Sequence, residues 1–345
     1  MEADINNAFA SRWTMASAKL GAVAWAAIAV LAFSRRVPID IIELLFLLAP
    51  LVVIPLGLEV LDRRADGVQM PTLGRVVRIL QPFAAALAVA SFWFPASIVA
   101  GTLSSAWLAV GVLTALMAIL DLFRPGWQSL GRIAINISRL DLAIAGAWFV
   151  TSRLGIAPMG FQEPIVLLTG VHFHYSGFAT ALLAGMTLEV CERRRKFCGI
   201  ARWVVAAAGF VPFLLAAGFV FSPALKLICG LILAITLLGF SLLQISQAGD
   251  FKSARARVLL QIAAGLLIPG MLLVVIYALG EYTGKYWLVI PQMAHLHGPL
   301  NGLGFVLLSL VAWVIERSNQ TREPLRSVGE IYSGVAYFSD AGRTV

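Results

Sequence analysis

All four histidines of the chain fall in two His-x-His pairs: His172 and His174 in VHFHYSGF, His295 and His297 in AHLHGPLNGLGF. Neutral imidazole exchanges protons near neutral pH and also ligates iron, copper or zinc, so the pairs are candidates for acid–base or metal chemistry. On a regular helix residues i and i+2 point about 200° apart, so one member of each pair is expected to face a neighbouring helix. Pro291 before the second pair, with Gly298 and Pro299 after it, predicts local unwinding that brings His295 and His297 round together. Asn301 shares a face with His297, and Thr169, His172 and Ser176 form one stripe, while His174 shares its face with Phe178.

Other polar groups join these candidates. Arg139 and Asp141, with Asn136 and Ser138 beside them, predict either a structural ion pair or a site in which the Arg139 fork binds an anion and Asp141 orients an imidazole. Glu163, just before Pro164, either caps a helix start or orients a histidine. Thr169 and Tyr175 of the first motif, with Asn301 and His295 of the second, are the expected substrate contacts. Glu59, Asp121, Gln81, Gln244 and Gln261 fall near span ends and are expected to be interfacial. Glu281, Tyr282, Lys285 and Tyr286 are expected to be interfacial anchors or the lip of a cavity.

The elements that must hold these residues are membrane helices. Apolar residues make up 60 % and charged residues 13 % of 345, against roughly 45–50 % and 25 % in soluble domains. Mean hydropathy is +0.88. Apolar windows lie near 15–34, 41–61, 79–99, 103–123, 130–152, 164–188, 200–221, 223–246, 257–279 and 287–315. The expected fold is therefore all-α, a polytopic membrane bundle of about ten helices. Residues 1–316 form the transmembrane domain and 317–345 a polar cytoplasmic tail. Arg12 and Lys19 precede the first apolar run, and Arg35 and Arg36 follow it without a small-x-small cleavage site, so that run is read as the first span.

Alternate allotment of the 26 Lys and Arg places twenty on the side of both termini, five on the other (Arg35, Arg36, Arg153, Lys226 and Lys285), and Arg139 inside a span. By the positive-inside rule both termini are cytoplasmic. The net charge of +8 thus reflects loops such as the ERRRK run at Glu192–Lys196, not a nucleic-acid surface. With the sixth and tenth helices entering from the cation-poor side, all four histidines lie about 12–16 Å deep, near the midplane. Three cysteines without C-x-x-C spacing imply neither a disulfide framework nor a zinc site.

The stretch EPIVLLTGVHFHYSGF (Glu163 to Phe178), followed by HGPLNGLGF (His297 to Phe305), resembles the YndJ-like family of bacterial multi-pass membrane proteins. The resemblance implies a bacterial inner-membrane protein in which Glu163, Thr169, His172, His174, His297 and Asn301 occupy the motif positions; it supplies no reaction.

Three function classes fit these residues. The first is an integral membrane enzyme using His172, His174 and His297 with Asp141 or Glu163 as acid and base, and Arg139 or Asn301 to steady negative charge. It would isomerise, cyclise or open a ring of a lipophilic or amphiphilic small molecule among the membrane lipids. No P-loop or Rossmann fingerprint is present, so this reading is cofactor-free. The second is a haem or transition-metal protein with His172, His174, His295 and His297 as ligands, and Gly170, Gly177, Gly298 and Gly302 making room for a flat ring. The third is a proton-coupled transporter built on a broken helix. The topology has its own test: an impermeant thiol reagent applied to intact cells should leave Cys191 and Cys198 unlabelled, and outside labelling of either would overturn it.

Overall fold

The computed structural model describes residues 2–62, 71–124 and 129–319. These residues form ten helices long and apolar enough to cross a membrane: α1 (Phe9–Phe33), α2 (Ile41–Leu61), α3 (Thr72–Ser91), α4 (Ile98–Leu122), α5 (Leu130–Leu154), α6 (Ile165–Arg194), α7 (Cys198–Phe221), α8 (Pro223–Ala248), α9 (Ala254–Tyr282) and α10 (Ile290–Asn319). The expected helical bundle is present, with no strand among the described residues. The tail reading for 320–345 lies outside those residues.

Boundaries follow capping chemistry that a hydropathy window cannot see. Ser97, Ser129, Ser222 and Ser253 each accept a backbone N–H of the following helix, and Pro223 takes the first position after Ser222. Such caps satisfy donors that lipid cannot. The third span is accordingly shifted from the expected 79–99: its helix ends at Ser91, and apolar residues 92–97 form the turn into α4.

The centre of the bundle is α2, buried over most of its length. It has apolar side chains on every face, the pattern of a helix surrounded by others. Pro50 and Pro55 remove two backbone donors from its middle, where Ala49–Val53 widens into a π-helix. Its carbonyls are taken up by three neighbours. Trp25 of α1 donates to Leu44 O at 2.8 Å, Tyr175 of α6 to Leu45 O at 2.7 Å, and Gln81 of α3 to Pro50 O at 2.7 Å. In the π register Pro55 has no N–H to give the Pro50 carbonyl, and the Gln81 amide fills that vacancy.

Two further helices carry π-helical stretches, Phe173–Thr180 in α6 and Leu300–Leu307 in α10, and all three stretches touch one another. The unwinding expected at Pro299 is thus a widening, and α10 runs on as a helix. Around this centre, close packing at small residues replaces the hydrophobic drive that lipid removes. A Cβ on Gly111 would lie 2.7 Å from Leu142 O, and one on Gly185 2.7 Å from Gly131 O, so α4, α5 and α6 meet nearly backbone to backbone.

Several polar residues expected at the interface are buried between helices. Glu59 accepts from Ser11 at 2.6 Å, Gln81 also accepts from Ser17 at 2.7 Å, and Gln244 donates to Ser309 at 3.3 Å. Asp121 is buried with Arg132 and Asn136, whereas Gln261 is exposed as expected. Each buried amide or carboxyl here joins two helices, a use of polar side chains that hydropathy alone does not register. Replacing Gln81 with Met should therefore cost about 1–2 kcal/mol, because it orphans the Pro50 carbonyl. Gln261→Met should stay within about 0.5 kcal/mol; melting of the two purified variants in detergent compares them.

Candidate functional site

The first halves of α6 and α10 both lean on the first half of α2, make no substantial contact with each other, and converge at their π-helical stretches. This leaves α6 and α10 diverging from a vertex at their π-helical stretches, with the separated ends on the side that the sequence makes cation-poor. The vertex is packed by Leu45 of α2, whose side chain lies against Gly298 and Gly302, and by Tyr175 beside Gly302. His172 ends the α-helical part of α6, and His297 comes three residues before the π-helix of α10.

Hydrogen bonds sort the four imidazoles. A carbonyl can only accept, so a ring nitrogen bonded to one carries the proton. His172 Nδ1 thereby donates to Leu168 O at 2.7 Å, His174 Nδ1 to Gly170 O at 2.7 Å, His295 Nδ1 to Pro291 O at 2.8 Å and His297 Nδ1 to Gly270 O at 3.0 Å. Each Nε2 is left as an acceptor. In His174 that acceptor is used as well, taking the Trp107 indole N–H at 2.9 Å, and the ring is fully buried against Trp107 and Phe46. His174 is therefore a structural link between α4 and α6 and not a proton-transfer group.

His172 is exposed on the face of α6 that carries it. It lies within electrostatic range of His297. Asn301 lies beside the second ring: its amide donates to the His297 backbone carbonyl at 2.8 Å, one turn back in α10. A Cβ on Gly270 would fall 2.7 Å from that amide, so only glycine lets α9 supply the carbonyl that anchors His297. His295 is exposed on another face of α10 and does not join the pair.

The remaining expected site residues are elsewhere. Arg139 donates to Asn136 at 3.0 Å and, with it, belongs to a network around Asp121, which Arg132 also binds through Nε at 3.0 Å. This network ties α4 to α5, so Arg139 is not the anion-binding group of the histidine site. Asp141 is buried on another face of α5, packed on Gly177, and bonds neither Arg139 nor an imidazole; its Oδ1 has no hydrogen-bond partner. Glu163 accepts from Ser152 at 2.5 Å and from the Leu167 N–H at 3.2 Å, which makes it a helix-start cap some three turns from His172. Tyr175 spends its hydroxyl on Leu45, and Thr169 bonds Ile165 O within its own helix at 2.8 Å. Glu281 pairs with Lys226 at 2.5 Å and Lys285 lies over the Trp287 ring, both at the cation-poor boundary.

The four histidines do not form a ligand set. Among the described residues no three His, Cys, Asp or Glu side chains come together as a metal site would need, and His174 has no nitrogen to offer. The glycines expected to make room for a ring are occupied by close neighbours: Gly170 by Ala145, Gly177 by Asp141, Gly298 by Leu45 and Gly302 by Tyr175.

Sequence reasoning passed over α2, Trp107, Gly270 and the charges around Arg153. Arg153 Nη2 donates to Ser91 O at 3.1 Å and Phe94 O at 2.6 Å, and the group faces Glu43 and Glu163 at the cation-poor ends of α2 and α6. Two prolines in an uninterrupted apolar span were the available signal for α2. Nothing local marked Trp107 or Gly270, whose partners are 67 and 27 residues away.

The model of the family described as YndJ-like protein matches residues 44–305. The protein named uncharacterized membrane protein YndJ from Bacillus subtilis (strain 168) is 28 % identical over 210 residues, 61 % of this chain and 38 % of that relative. The chain thus matches well under half of the relative's length. No solved structure matches.

The role given to His174 has a direct consequence. Trp107→Phe leaves a buried imidazole nitrogen without its donor, so the variant should lose about 1–3 kcal/mol of stability. The midpoint of denaturation in detergent reads this, and an unchanged midpoint would remove His174 from the structural core.

Proposed function

The chain belongs to the YndJ-like family of membrane proteins, and on that premise we propose that it is a membrane-embedded acid–base catalyst in which His172 and His297 form the proton-transfer pair. One observation carries this reading: two imidazoles on different helices, each with Nδ1 anchored to a carbonyl and Nε2 unbonded, lie within electrostatic range of each other near where α6 and α10 converge. Anchoring Nδ1 fixes the tautomer and aims the basic nitrogen, as a general base requires. Both rings are bases as they stand, and once one of them takes up a proton the pair offers one acid and one base.

An acid and a base on facing helices suit the movement of a proton from one atom of a bound molecule to another. Isomerisation, cyclisation and ring opening all meet that description without a net change in oxidation state. A depth near the midplane favours a lipophilic or amphiphilic substrate reaching the pair among the membrane lipids. Asn301 positions His297. Thr169, one turn nearer the cation-poor end on the His172 stripe, offers a hydroxyl to a polar part of the substrate. The twenty-to-five distribution of cations supports placement in the bacterial cytoplasmic membrane with both termini inside.

Complementation of a deletion strain tests the pair. Wild type and His295→Ala should restore the same lipid-extract profile by mass spectrometry. His172→Ala and His297→Ala should each lose about 10²-fold or more of the conversion while still melting cooperatively. Full complementation by both variants would refute the reading. A stoichiometric metal in the wild type, lost in both variants, would replace it with ligation.

A further inference from the structure

His297 differs from the other three histidines in what anchors it. His172, His174 and His295 each place Nδ1 against the carbonyl four residues back in their own helix. His297 instead reaches across to α9, with Nδ1 3.0 Å from Gly270 O. The same nitrogen has a second neighbour, the side-chain amide nitrogen of Asn301, also 3.0 Å away. The orientation of that amide is set independently of the ring: its nitrogen donates to His297 O at 2.8 Å, and a carbonyl takes only an N–H. The amide thus has one hydrogen for the backbone carbonyl and a second for the ring.

A carbonyl calls for a proton on Nδ1, and an amide N–H calls for a bare Nδ1, so the two neighbours favour opposite tautomers of one neutral ring. Neither form strips a backbone group of its bond. Gly270 lies inside the continuous α-helix of α9, where its carbonyl keeps an intrahelical donor, and Asn301 keeps its bond to His297 O. With the proton on Nδ1, Nε2 is a base. With Nδ1 taking the Asn301 N–H, Nε2 carries the proton and is a donor. The described contacts give His172 no such choice, since its Nδ1 meets the Leu168 carbonyl.

From this geometry we propose that Asn301 makes the Nε2–H tautomer of His297 accessible, and that in this form His297 is a neutral hydrogen-bond donor to a substrate carbonyl while His172 is the single base. This rests on the acid–base reading of His172 and His297. Exchange between the tautomers removes one proton from Nδ1 and adds one at Nε2, with water as the carrier, and leaves the ring uncharged, which is the cheaper state away from water. In the chemical step a C–H bond beside the carbonyl breaks, its proton goes to His172 Nε2, and the electron pair moves into an enolate whose oxygen is steadied by the His297 N–H. The His172 proton then bonds at another position of the enolate, so nothing is consumed. The substrate class narrows to a lipophilic carbonyl compound with an enolisable C–H. Asn301 acts through His297 and is a positioning residue.

Solid-state nitrogen NMR of the purified protein in lipid, with isotope-labelled histidine, separates protonated from bare ring nitrogens, and single substitutions assign the four residues. In the resting wild type His297 should show two populations, one with a bare Nδ1, whereas His174, bonded at both nitrogens, should show Nδ1–H alone. Asn301→Leu should remove the bare-Nδ1 population of His297. Asn301→Asp, whose carboxylate accepts from Nδ1–H, should do the same and serves should Asn301→Leu fail to fold. A long-chain methyl ketone dissolved in the bilayer should raise the Nε2–H population of wild-type His297 severalfold, and the matching alkane should leave it unchanged. A His297 protonated only at Nδ1, a bare-Nδ1 population that survives both Asn301 variants, or one that responds to ketone and alkane alike would overturn the proposal. The tautomers are read without turnover, so their failure leaves the complementation result standing, and failed complementation leaves the tautomers standing.

Discussion

Backbone carbonyls freed in the middle of α2 are what the rest of the bundle is arranged around. A proline in a membrane helix deletes a donor that no lipid can replace, so an acceptor near it must find a side chain from another helix. Pro50 and Pro55 lie within one buried span, and Trp25, Gln81 and Tyr175 bring α1, α3 and α6 to its carbonyls. These are directional bonds in a medium without a hydrophobic drive between helices, so they set rotation as well as proximity. Tyr175 is the clearest case: its bond to Leu45 orients the π-helical part of α6, which follows His172.

The three π-helical stretches extend the same logic. A π-helix accommodates an extra residue in a turn, redirecting side chains on either side of it, and such stretches recur at functional sites. Here they meet at one level of the bundle. Above that level the first halves of α6 and α10 separate along α2; below it Gly57 of α2 packs on Phe178 and Leu182 of α6, and Arg317 of α10 donates to Val60 O of α2. The histidines occupy the transition, where backbone is near enough to anchor Nδ1 and the helices have parted enough to leave Nε2 free.

Polar groups inside the bundle divide by whether they are satisfied. The Asp121 network, the Gln81 contacts and the His174–Trp107 bond close on themselves and join helices. His172 and His297 each keep a bare Nε2, while Asp141 Oδ1, Gln244 Oε1 and the Trp313 indole are buried without a partner in other parts of the bundle. In hydrocarbon an open valence costs stability, so it is the pairing of two anchored imidazoles, not the open valence alone, that sets the site apart.

Hydropathy and charge are properties of each residue that add along the chain. The all-helical fold and the ten spans were therefore legible in the sequence, with errors only where capping serines and an apolar turn set the ends. The His-x-His spacing likewise foretold that one ring of a pair would turn away, since two residues along a helix is half a turn too far. Which ring, and towards what, was not written locally. His174 is structural because Trp107 lies across from it, His297 is anchored because Gly270 leaves a carbonyl within reach, and Arg139 is drawn to Asp121 and away from the histidines. Each of these outcomes depends on a partner contributed by a different helix, and only the packing of α2, α4, α5, α6, α9 and α10 decides which partners meet.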